Sequence, residues 1–469
     1  MATSTSPMPA SIDELVASIG RELPELKLLT DELDREAYRR DETAYLTSGV
    51  GLPGAVALPT TTAEVSTLLR LAGEHGVPVV PRGAGTGLSG GAAGIEGALT
   101  IALTRMDRIL EVDRANLCVV TQPGVVNASL KAAVAAEALF YPPDPASYET
   151  CTIGGNLGTN AGGLCCVKYG QTRDWVLGLE VVLADGRVIR TGGRNVKDTA
   201  GYALTQLFVG SQGTLGIITE ATLRLRPQAG PRSTLLAFFR TVESAGDAVA
   251  AMTRAGLEPV TLELMDHATI VAVDDWHHLG LDRDAAAMLM VESDAPGAEA
   301  PAELDRAERA CREAGASSIV RAADAAEADW LREARRQALR ALERQGMVRM
   351  EDVGVPRAAV PQLLRAIERI AAAHGVRAAT FGHVGDGNLH PNFIFERDDR
   401  EAAVLTERVR DEIFREALAL GGTVTAEHGI GLARRDWLPI QRGEDAVAVM
   451  RAIKAALDPL GILNPGRVL

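Results

Sequence analysis

The clearest indication of the fold is the glycine-rich stretch Arg82-Gly83-Ala84-Gly85-Thr86-Gly87-Leu88-Ser89-Gly90-Gly91. It directly follows an apolar run, residues 77–80, that is predicted to be a strand. Because glycine tolerates positive φ angles, a run this rich in glycine lets successive backbone N–H groups converge on one anion. The stretch therefore predicts a cradle for a phosphate or pyrophosphate group, with a flexible surface loop as the alternative.

The same stretch contains the spacing Gly-x-Gly-x-x-Gly at Gly85, Gly87 and Gly90, which is typical of Rossmann dinucleotide-binding folds. A Rossmann fingerprint opens a helix, whereas here the chain continues through further glycines into a strand predicted around residues 99–101. The context therefore argues against a Rossmann fold. Two more Gly-rich stretches, residues 152–163 and 210–217, follow later. Together the three predict a groove in which backbone contacts an extended dinucleotide.

The composition indicates two or three domains, because 469 residues exceed the roughly 250–300 at which one core stops growing. Hydrophobic residues make up 46% of the chain, and no apolar run reaches the ~18 residues of a membrane-spanning helix. The net charge of -14 repels nucleic acids and anionic bilayers, so both are disfavoured as partners. The five cysteines lack metal-like spacing, which predicts reduced thiols and a cytoplasmic protein.

The pattern along the chain predicts an α+β fold in four segments. Residues 1–53 are an N-terminal helical preface, and residues 54–227 alternate short strands with Gly-rich loops. Residues 228–399 alternate strands with three amphipathic stretches (242–255, 301–314 and 358–374), which predicts helices covering one face of a sheet. Residues 400–469 are predicted to be mainly helical.

Three of the eight histidines lie in or beside unusual glycine motifs: His383, His390 and His428. The turn sequence at residues 385–388 predicts a hairpin that pairs His383 with His390, close enough for both imidazoles to bind one ion. With Glu427 as the carboxylate, this set suits Zn²⁺ in an open catalytic site, with Mn²⁺ or Fe²⁺ as competitors. The alternative is a histidine pair that only forms hydrogen bonds within a core. Because Glu427 and His428 are adjacent, the backbone is expected to bend there, helped by Gly429.

A third cluster consists of three arginines, Arg332, Arg335 and Arg336, on two predicted helical turns. A guanidinium group binds a carboxylate through two parallel hydrogen bonds, which makes these residues candidates for a substrate anchor. The alternative is an ordinary solvated helix surface.

These motifs resemble the vanillyl-alcohol oxidase superfamily of FAD enzymes. The resemblance rests on the segment 81–87, Pro142-Pro143-Asp144-Pro145, the loop 154–163, Lys168-Tyr169-Gly170 and the segment 213–218. The whole chain, to Asn464-Pro465-Gly466-Arg467, is similar to the branch that contains D-lactate dehydrogenase, D-2-hydroxyglutarate dehydrogenase and a subunit of glycolate oxidase.

The resemblance implies FAD bound between two α+β subdomains, beneath a cap domain that supplies the substrate site. The C-terminal segment would complete both sites. Members that attach flavin covalently in this loop have a histidine where this chain has Thr86, so the resemblance implies non-covalent FAD. The residues that it places at the cofactor are Arg82, Gly83, Ala84, Gly85, Thr86, Gly87, Leu88, Ser89, Pro143, Asp144, Gly154, Gly155, Asn156, Ala161, Gly162, Gly213, Ile217, Ile218 and Asn464.

The resemblance also implies roles at the substrate site. His383, His390 and Glu427 match metal ligands, His428 matches the general base, and Asn392 matches a substrate contact. The substrate-carboxylate anchor falls on Arg335, with Arg332 as the second candidate. Members that act on dicarboxylates have a lysine where this chain has Met350, which favours a small monocarboxylate unless Arg336 or Arg349 substitutes.

The expected function is FAD-dependent oxidation of a D-2-hydroxy acid, D-lactate or glycolate, to the 2-oxo acid. A D-2-hydroxy dicarboxylate substrate, a non-catalytic FAD- and metal-binding subunit, and a metal-dependent hydrolase are the alternatives. The cysteines show no iron–sulfur pattern, so a quinone, an electron-transfer protein or a partner subunit is expected to accept the electrons. A homodimer and a peripheral attachment to a membrane through a partner both stay open.

Overall fold

The chain begins with a small mixed sheet, seen in a computed structural model that describes residues 12–46 and 48–469. The start of the predicted preface, residues 1–11, lies outside the described residues. The strand order is β1-β2-β4-β3, parallel except for the β1–β2 pair. The strands are β1 (Lys27–Leu29), β2 (Ala55–Leu58), β3 (Val79–Arg82) and β4 (Leu99–Ala102), with helices α1 (Ile12–Glu22), α2 (Glu32–Glu36) and α3 (Thr62–His75).

Helix α3 shows why this part folds as the sequence predicts. Thr61 caps its N-terminus in a capping box with Glu64, and Gly76 ends it in the left-handed region at φ 63°. Its apolar face, with Val65, Leu68 and Leu69 fully buried, packs on the first sheet. Each such side chain stabilises the fold by roughly 1.5–3 kcal/mol through burial. The helix thereby fixes β3, whose last residue begins the first glycine stretch.

The second sheet is antiparallel, with the strand order β5-β6-β10-β8-β9. Strand β10 alternates buried and less buried residues towards its end because one face packs on the core. The short strands β7 and β11 form a separate pair. The elements are β5 (Ile109–Asp113), β6 (Cys118–Thr121), β7 (Leu139–Phe140), β8 (Val176–Val182), β9 (Val188–Gly192), β10 (Ile217–Arg224) and β11 (Arg226–Pro227), with α4 (Asn127–Ala135), α5 (Ile153–Thr159), α6 (Cys166–Tyr169) and α7 (Leu204–Phe208).

The third sheet belongs to the second half of the chain and has the order β15-β12-β14-β13-β18-β19-β16, with β17 pairing β19. The three helices predicted between its strands are confirmed as α8 (Val242–Arg254), α10 (Glu299–Glu313) and α13 (Val360–His374). The elements are β12 (Ser233–Phe239), β13 (Thr261–Asp266), β14 (Ala287–Ser293), β15 (Ser318–Arg321), β16 (Met347–Met350), β17 (Val353–Gly354), β18 (Ala378–Gly382) and β19 (Asn388–Phe395), with α8 (Val242–Arg254), α9 (His267–His277), α10 (Glu299–Glu313), α11 (Ala325–Arg336), α12 (Ala338–Glu343) and α13 (Val360–His374).

The C-terminal part is helical but contains an irregular segment at residues 420–434. Its helices are α14 (Arg400–Ala419), α15 (Leu438–Arg442) and α16 (Glu444–Leu457). The chain end then returns to the first sheet, where Leu463 forms a parallel bridge with Val79 of β3. The last residues of the chain therefore lie against the strand that leads into the first glycine stretch.

The predicted histidine hairpin exists, but its register differs from the prediction. Strands β18 and β19 pair Phe381 with His390, not His383 with His390. The connection is longer than predicted: the backbone N–H groups of Asp386 and Asn388 both donate to the carbonyl of His383, so His383 begins the turn. Gly387, with φ 88°, completes it. His383 therefore reaches the site from the turn and His390 from the strand.

Candidate active site

The glycine stretches predicted to form a groove line one cavity, whose volume of about 400 Å³ is in the range of ligand sites. The cavity lies between the first two sheets and the third. Of the residues expected at the cofactor, those in its wall are Arg82, Gly83, Ala84, Gly85, Thr86, Gly87, Leu88, Ser89, Gly154, Gly155, Asn156, Ala161, Gly162, Gly213, Ile217 and Ile218.

Close approach between segments explains several of these glycines. A Cβ on Gly83 would lie 2.4 Å from the hydroxyl oxygen of Thr152, and one on Gly213 would lie 2.5 Å from Pro81. The glycine stretches can therefore meet only because these positions have no side chain. Arg82 lines the cavity, and its guanidinium donates to the carbonyls of Ala92 and Arg40.

Three residues expected at the cofactor, Pro143, Asp144 and Asn464, do not line this cavity. The Pro143 carbonyl accepts a hydrogen bond from the Asn127 side chain. Asp144 is held by Arg336 at 2.8 Å and accepts the N–H of Cys165, so its carboxylate is already engaged. The next residues, Pro145, Ala146 and Ser147, line the cavity instead.

Asn464 lies behind the cavity wall. Its side-chain amide donates to the carbonyls of Gly91 and Gln212, at 2.9 and 2.7 Å. Its backbone N–H donates to Val79. Asn464 therefore ties two glycine stretches together and supports the cavity from outside.

At the other end of the same cavity, three imidazoles surround one carboxylate oxygen. The Nε2 atoms of His383, His390 and His428 lie 3.4, 3.1 and 3.4 Å from Oε1 of Glu427. One donor atom each of His383, His390 and Glu427 lies within 4.8 Å of the other two, which is compact enough for one metal ion. The hairpin and the C-terminal loop thus bring together the four residues that the sequence singled out.

Burial and mutual charge set the protonation states in this cluster. Burial opposes a charge on His383, but the carboxylates of Glu263 and Glu427 outweigh it and hold the pKa of His383 well above its ordinary value. Burial lowers the pKa of His390. It acts to raise the pKa of Glu427, yet His383 and hydrogen bonds from the imidazoles hold that pKa well below its ordinary value. Glu427 is therefore an ionised carboxylate, as a metal ligand must be.

The loop that carries Glu427 and His428 bends, as the sequence predicted. Gly429 has φ 81°, and Oδ2 of Asp352 accepts the successive backbone N–H groups of Ala426, Glu427 and His428. Three N–H groups converging on one oxygen fold this backbone into an anion-binding nest. The nest turns the adjacent Glu427 and His428 side chains towards the same cavity.

The same loop packs directly on the glycine stretches. A Cβ on Gly162 would lie 2.2 Å from Oε2 of Glu427, so a side chain at Gly162 would displace the carboxylate. Leu432 N–H donates to the Ser89 carbonyl at 2.7 Å, and Gly431 N–H donates to Gln212 at 2.8 Å. The imidazole cluster and the glycine cradle are therefore built on each other.

The arginine cluster divides between two sites. Arg335 lines the cavity, with Nη2 2.6 Å from Glu263 and its guanidinium carbon 4.5 Å from the Phe381 ring centre. Arg332 does not line the cavity, because its guanidinium binds the buried carboxylate of Glu292 through Nε and Nη2. The second candidate for the anchor is thus held elsewhere.

Three other residues were expected to affect substrate binding: Met350, Arg349 and Asn392. Met350 lines the cavity, whereas Arg349 is bound by Glu351 and Glu407 outside it. Asn392 is fully buried and is absent from the cavity wall, contrary to expectation. Its side-chain amide donates to the carbonyls of His390 and Ala379, so it supports the strand beneath His390.

Comparison with known proteins agrees with this arrangement. A family model described as FAD linked oxidases, C-terminal domain, matches residues 229–468, and one described as FAD binding domain matches residues 53–192. The chain is 43% identical to the glycolate oxidase subunit GlcD of Bacillus subtilis (strain 168) over 435 residues, 92% of each chain. The chain belongs to the FAD-linked oxidases.

This FAD-linked oxidase is also 35% identical, over 444 residues, to a D-lactate dehydrogenase of Archaeoglobus fulgidus, covering 92% of this chain and 96% of that one. Among solved structures, p-cresol methylhydroxylase superposes with a TM-score of 0.80 at 17% identity, covering 97% of this chain and 96% of that one. That likeness shows the fold, and it agrees with the α+β fold expected from the sequence. The protein is an oxidoreductase with an FAD-binding domain.

Two carboxylates that lie against the imidazole cluster, Glu263 and Asp352, were not predicted from the sequence. Glu263 accepts a hydrogen bond from Nδ1 of His383 at 2.7 Å, and Asp352 holds the Glu427 loop. A signal existed for Glu263, because it is a charged residue within the apolar strand β13, Thr261–Asp266. Asp352 lies between the strands β16 and β17, where it has no such signal.

The helices of this FAD-linked oxidase also bear on the membrane question. Across residues 12–46 and 48–469, no helix is both long enough and apolar enough to cross a bilayer.

Proposed function

We propose that this FAD-linked oxidase converts a small D-2-hydroxy acid, D-lactate or glycolate, to the 2-oxo acid with non-covalent FAD. One observation carries the proposal: the glycine stretches and the imidazole cluster line a single cavity. A cofactor held along the glycine stretches would therefore extend towards the imidazoles. Relatives named as a glycolate oxidase subunit and a D-lactate dehydrogenase support this class of substrate.

We further propose a divalent metal on His383, His390 and Glu427, with Zn²⁺ favoured and Mn²⁺ or Fe²⁺ as competitors. Two imidazole nitrogens and an ionised carboxylate fit such an ion, and Glu263 supports His383 from its Nδ1 side. FAD held along the glycine stretches would supply a hydride acceptor, and a metal held by His383, His390 and Glu427 would supply a Lewis acid.

The side chains around the cavity then have separate roles. Nε2 of His428 faces the cluster and takes the hydroxyl proton as the general base. Arg335 binds the substrate carboxylate, and its planar group is already oriented by Phe381 and Glu263. Conversion of the hydroxy acid to the oxo acid releases one proton and one hydride: His428 would take the proton, and FAD would supply the hydride acceptor.

The size of the substrate follows from Met350, which contributes an apolar side chain to the cavity wall. A second carboxylate would lose hydration there without a partner, so a monocarboxylate is favoured. One observation supports a dicarboxylate instead: Arg336 also lines the cavity. Arg336 pairs with Asp144 at 2.8 Å, as Arg335 pairs with Glu263 at 2.6 Å, so a D-2-hydroxy dicarboxylate is the second candidate substrate.

The organisation of the chain and its partners is part of the same proposal. We assign residues 54–227 to the FAD-binding domain, residues 228–399 to the cap, and residues 400–469 to a segment that completes both sites, after a preface at 1–53. The electrons leave to a quinone, an electron-transfer protein or a partner subunit. The proposed location is the cytoplasm.

Anaerobic mixing of the purified holoenzyme with single 2-hydroxy acids tests the substrate. We expect D-lactate or glycolate to bleach the flavin absorbance faster than D-malate or D-2-hydroxyglutarate, and Met350→Lys to narrow that difference. Bleaching by the dicarboxylates alone would contradict the assignment. A flavin that no hydroxy acid reduces would instead indicate a non-catalytic subunit.

A further inference from the structure

A second cavity lies beside the first, where helices α4 and α11 approach each other. Its volume is about 370 Å³, close to that of the first cavity and in the range of ligand sites. Among the described residues, only Arg336 belongs to both walls. The charged side chains in the second wall are four cations and two carboxylates: Lys131, Arg232, Arg332, Arg336, Asp144 and Asp329. The proposed oxidation gives this cavity no role.

The arginines of this wall outnumber the carboxylates that bind them. Arg232 and Arg332 both pair with the buried carboxylate of Glu292, at 3.2 and 2.6 Å. Arg336 pairs with Asp144 at 2.8 Å. Because one carboxylate serves two guanidinium groups, one positive charge beside Glu292 is not neutralised.

Lys131 adds a second positive charge. Its Nζ atom donates to the carbonyls of Tyr141 and Pro142, at 2.5 and 3.2 Å, and both are neutral groups. Residues 12–46 and 48–469 supply no ion pair to this ammonium group. Burial lowers the pKa of Lys131 to about 8, although the charge of Asp144 acts to raise it. A further negative charge in the cavity would therefore stabilise the ammonium group.

Asp329 offsets this surplus only weakly. Its side chain is 72% exposed and contacts Nη1 of Arg332 at 2.5 Å, so water and salt screen its charge. Apart from this exposed group, the four cations face two buried carboxylates, those of Glu292 and Asp144. The cavity wall therefore has a surplus of two positive charges.

The hydrogen-bond donors reach the cavity from three elements. Lys131 lies on α4, Arg336 lies on α11, and Arg232 directly precedes β12. Arg336 binds Asp144 through Nη2, and its Nε is buried without a hydrogen-bond partner in the described part of the chain. The guanidinium carbon of Arg336 lies 4.8 Å from the ring centre of Tyr148, which orients the group. Donors from several directions suit a tetrahedral phosphate better than a planar carboxylate.

We propose that the second cavity is a binding site for a free dianion of the phosphate type, held by Lys131, Arg232 and Arg336. Two negative charges match the surplus of the wall, and an ammonium group beside guanidinium groups is a donor set that suits phosphate oxygens. The site is separate from the glycine stretches proposed to hold FAD. It also does not depend on which hydroxy acid the protein oxidises.

Titration calorimetry of the FAD-loaded holoenzyme with inorganic phosphate tests this proposal. We expect a single phosphate to bind, and Lys131→Met to weaken its binding about tenfold or more, because a charge-assisted hydrogen bond is lost. The ionic strength is held constant with chloride, so that general screening does not contribute. Absence of phosphate binding to the wild-type chain would overturn the proposal, and so would an unchanged affinity in Lys131→Met.

Arg335→Gln is the matched control for this titration. It also removes one positive charge, but Arg335 lines the first cavity and not the second. We expect this variant to lose much less phosphate affinity than Lys131→Met. An equal loss of affinity in both variants would show that phosphate responds to the net charge or binds in the first cavity, and the proposal would fail.

Chemical acetylation of lysines in the wild-type holoenzyme tests the same site without a variant that has to fold. A bound dianion covers the ammonium group of Lys131 and favours its unreactive protonated form. Phosphate should therefore slow acetylation of Lys131 about fivefold or more, measured by mass spectrometry of its peptide. The exposed Lys197 is the internal control and should keep its rate. Equal acetylation of Lys131 with phosphate and with chloride of the same ionic strength would contradict the proposal.

Discussion

Arg332 and Arg335 lie one turn apart on α11 and illustrate how single residues divide the work of this protein. Arg332 neutralises the buried carboxylate of Glu292 together with Arg232. Burial acts to raise the pKa of Glu292, but the two arginines outweigh it and lower that pKa to about 2. Arg335 instead lies in the cavity beside Glu263. Helical spacing places both on neighbouring positions, and only the partner carboxylates distinguish a structural arginine from a substrate anchor.

The lysine variants of these two residues test that distinction. Arg335→Lys keeps a positive charge near Glu263 but loses the planar group that binds a carboxylate through two hydrogen bonds. We expect the substrate concentration for half-maximal flavin reduction to rise about tenfold or more, because a charge-assisted hydrogen bond contributes roughly 1.5–3 kcal/mol. Arg332→Lys is the control and should leave this value unchanged. An equal rise of this concentration in both variants would contradict the assignment of Arg335 as the substrate anchor.

Among the secondary-structure elements, the hairpin β18–β19 shows that sequence patterns predict a turn but not the register of the strands beside it. The turn at residues 385–388 and the proximity of His383 and His390 followed from glycine and from alternation along a strand. The register did not follow, because the loop length depends on hydrogen bonds to the His383 carbonyl that no local pattern reveals. The hydrogen bond from the Ala426 N–H group to Asp352 and the one from the Asn392 amide to the Ala379 carbonyl likewise join residues that are not neighbours in the sequence.

Metal binding by this hairpin gives a test at the same scale. His383→Ala and His390→Ala should each lose most bound divalent metal, measured by mass spectrometry of the digested protein, because each removes one of three proposed ligands. Both should keep FAD, since the glycine stretches come from other elements. His374→Ala, which removes a half-buried histidine paired with Glu412 at the end of α13, is the control. Full metal occupancy in both cluster variants would refute the assignment.

In the whole molecule, the sequence predicted individual strands and helices better than the contacts between distant segments of the chain. Gly-rich stretches, amphipathic helices and apolar strands are local signals, and they predicted the strands β3 and β4 and the helices α8, α10 and α13. The strand order of the sheets was not predicted. The contact between Gly162 and Glu427 joins residues far apart in the chain, and the return of Leu463 to Val79 does the same. Such contacts depend on how the sheets pack, which a single sequence does not encode in any local pattern.

The cofactor cavity exists only in the folded molecule, because its glycine stretches are separated by long segments of chain. By the family resemblance, Thr86 stands where covalent members have a histidine. The imidazoles in the cavity wall, those of His383, His390 and His428, converge on Glu427. Unfolding in acid should therefore release all of the flavin into the supernatant and leave a colourless precipitate. Yellow colour in the washed precipitate would show a covalent bond.

FAD that binds non-covalently to the folded state, and not to the unfolded state, also stabilises the folded state. Added FAD should raise the melting temperature of protein stripped of its flavin. At an FAD concentration of roughly 1,000 times Kd, the free energy of unfolding should rise by about 4 kcal/mol. Gly83→Val is the informative comparison, because a side chain there meets Thr152 and forces two glycine stretches apart. We expect this variant to gain little or no melting temperature from FAD. A gain equal to that of the wild-type chain would show that FAD binds elsewhere than between the glycine stretches.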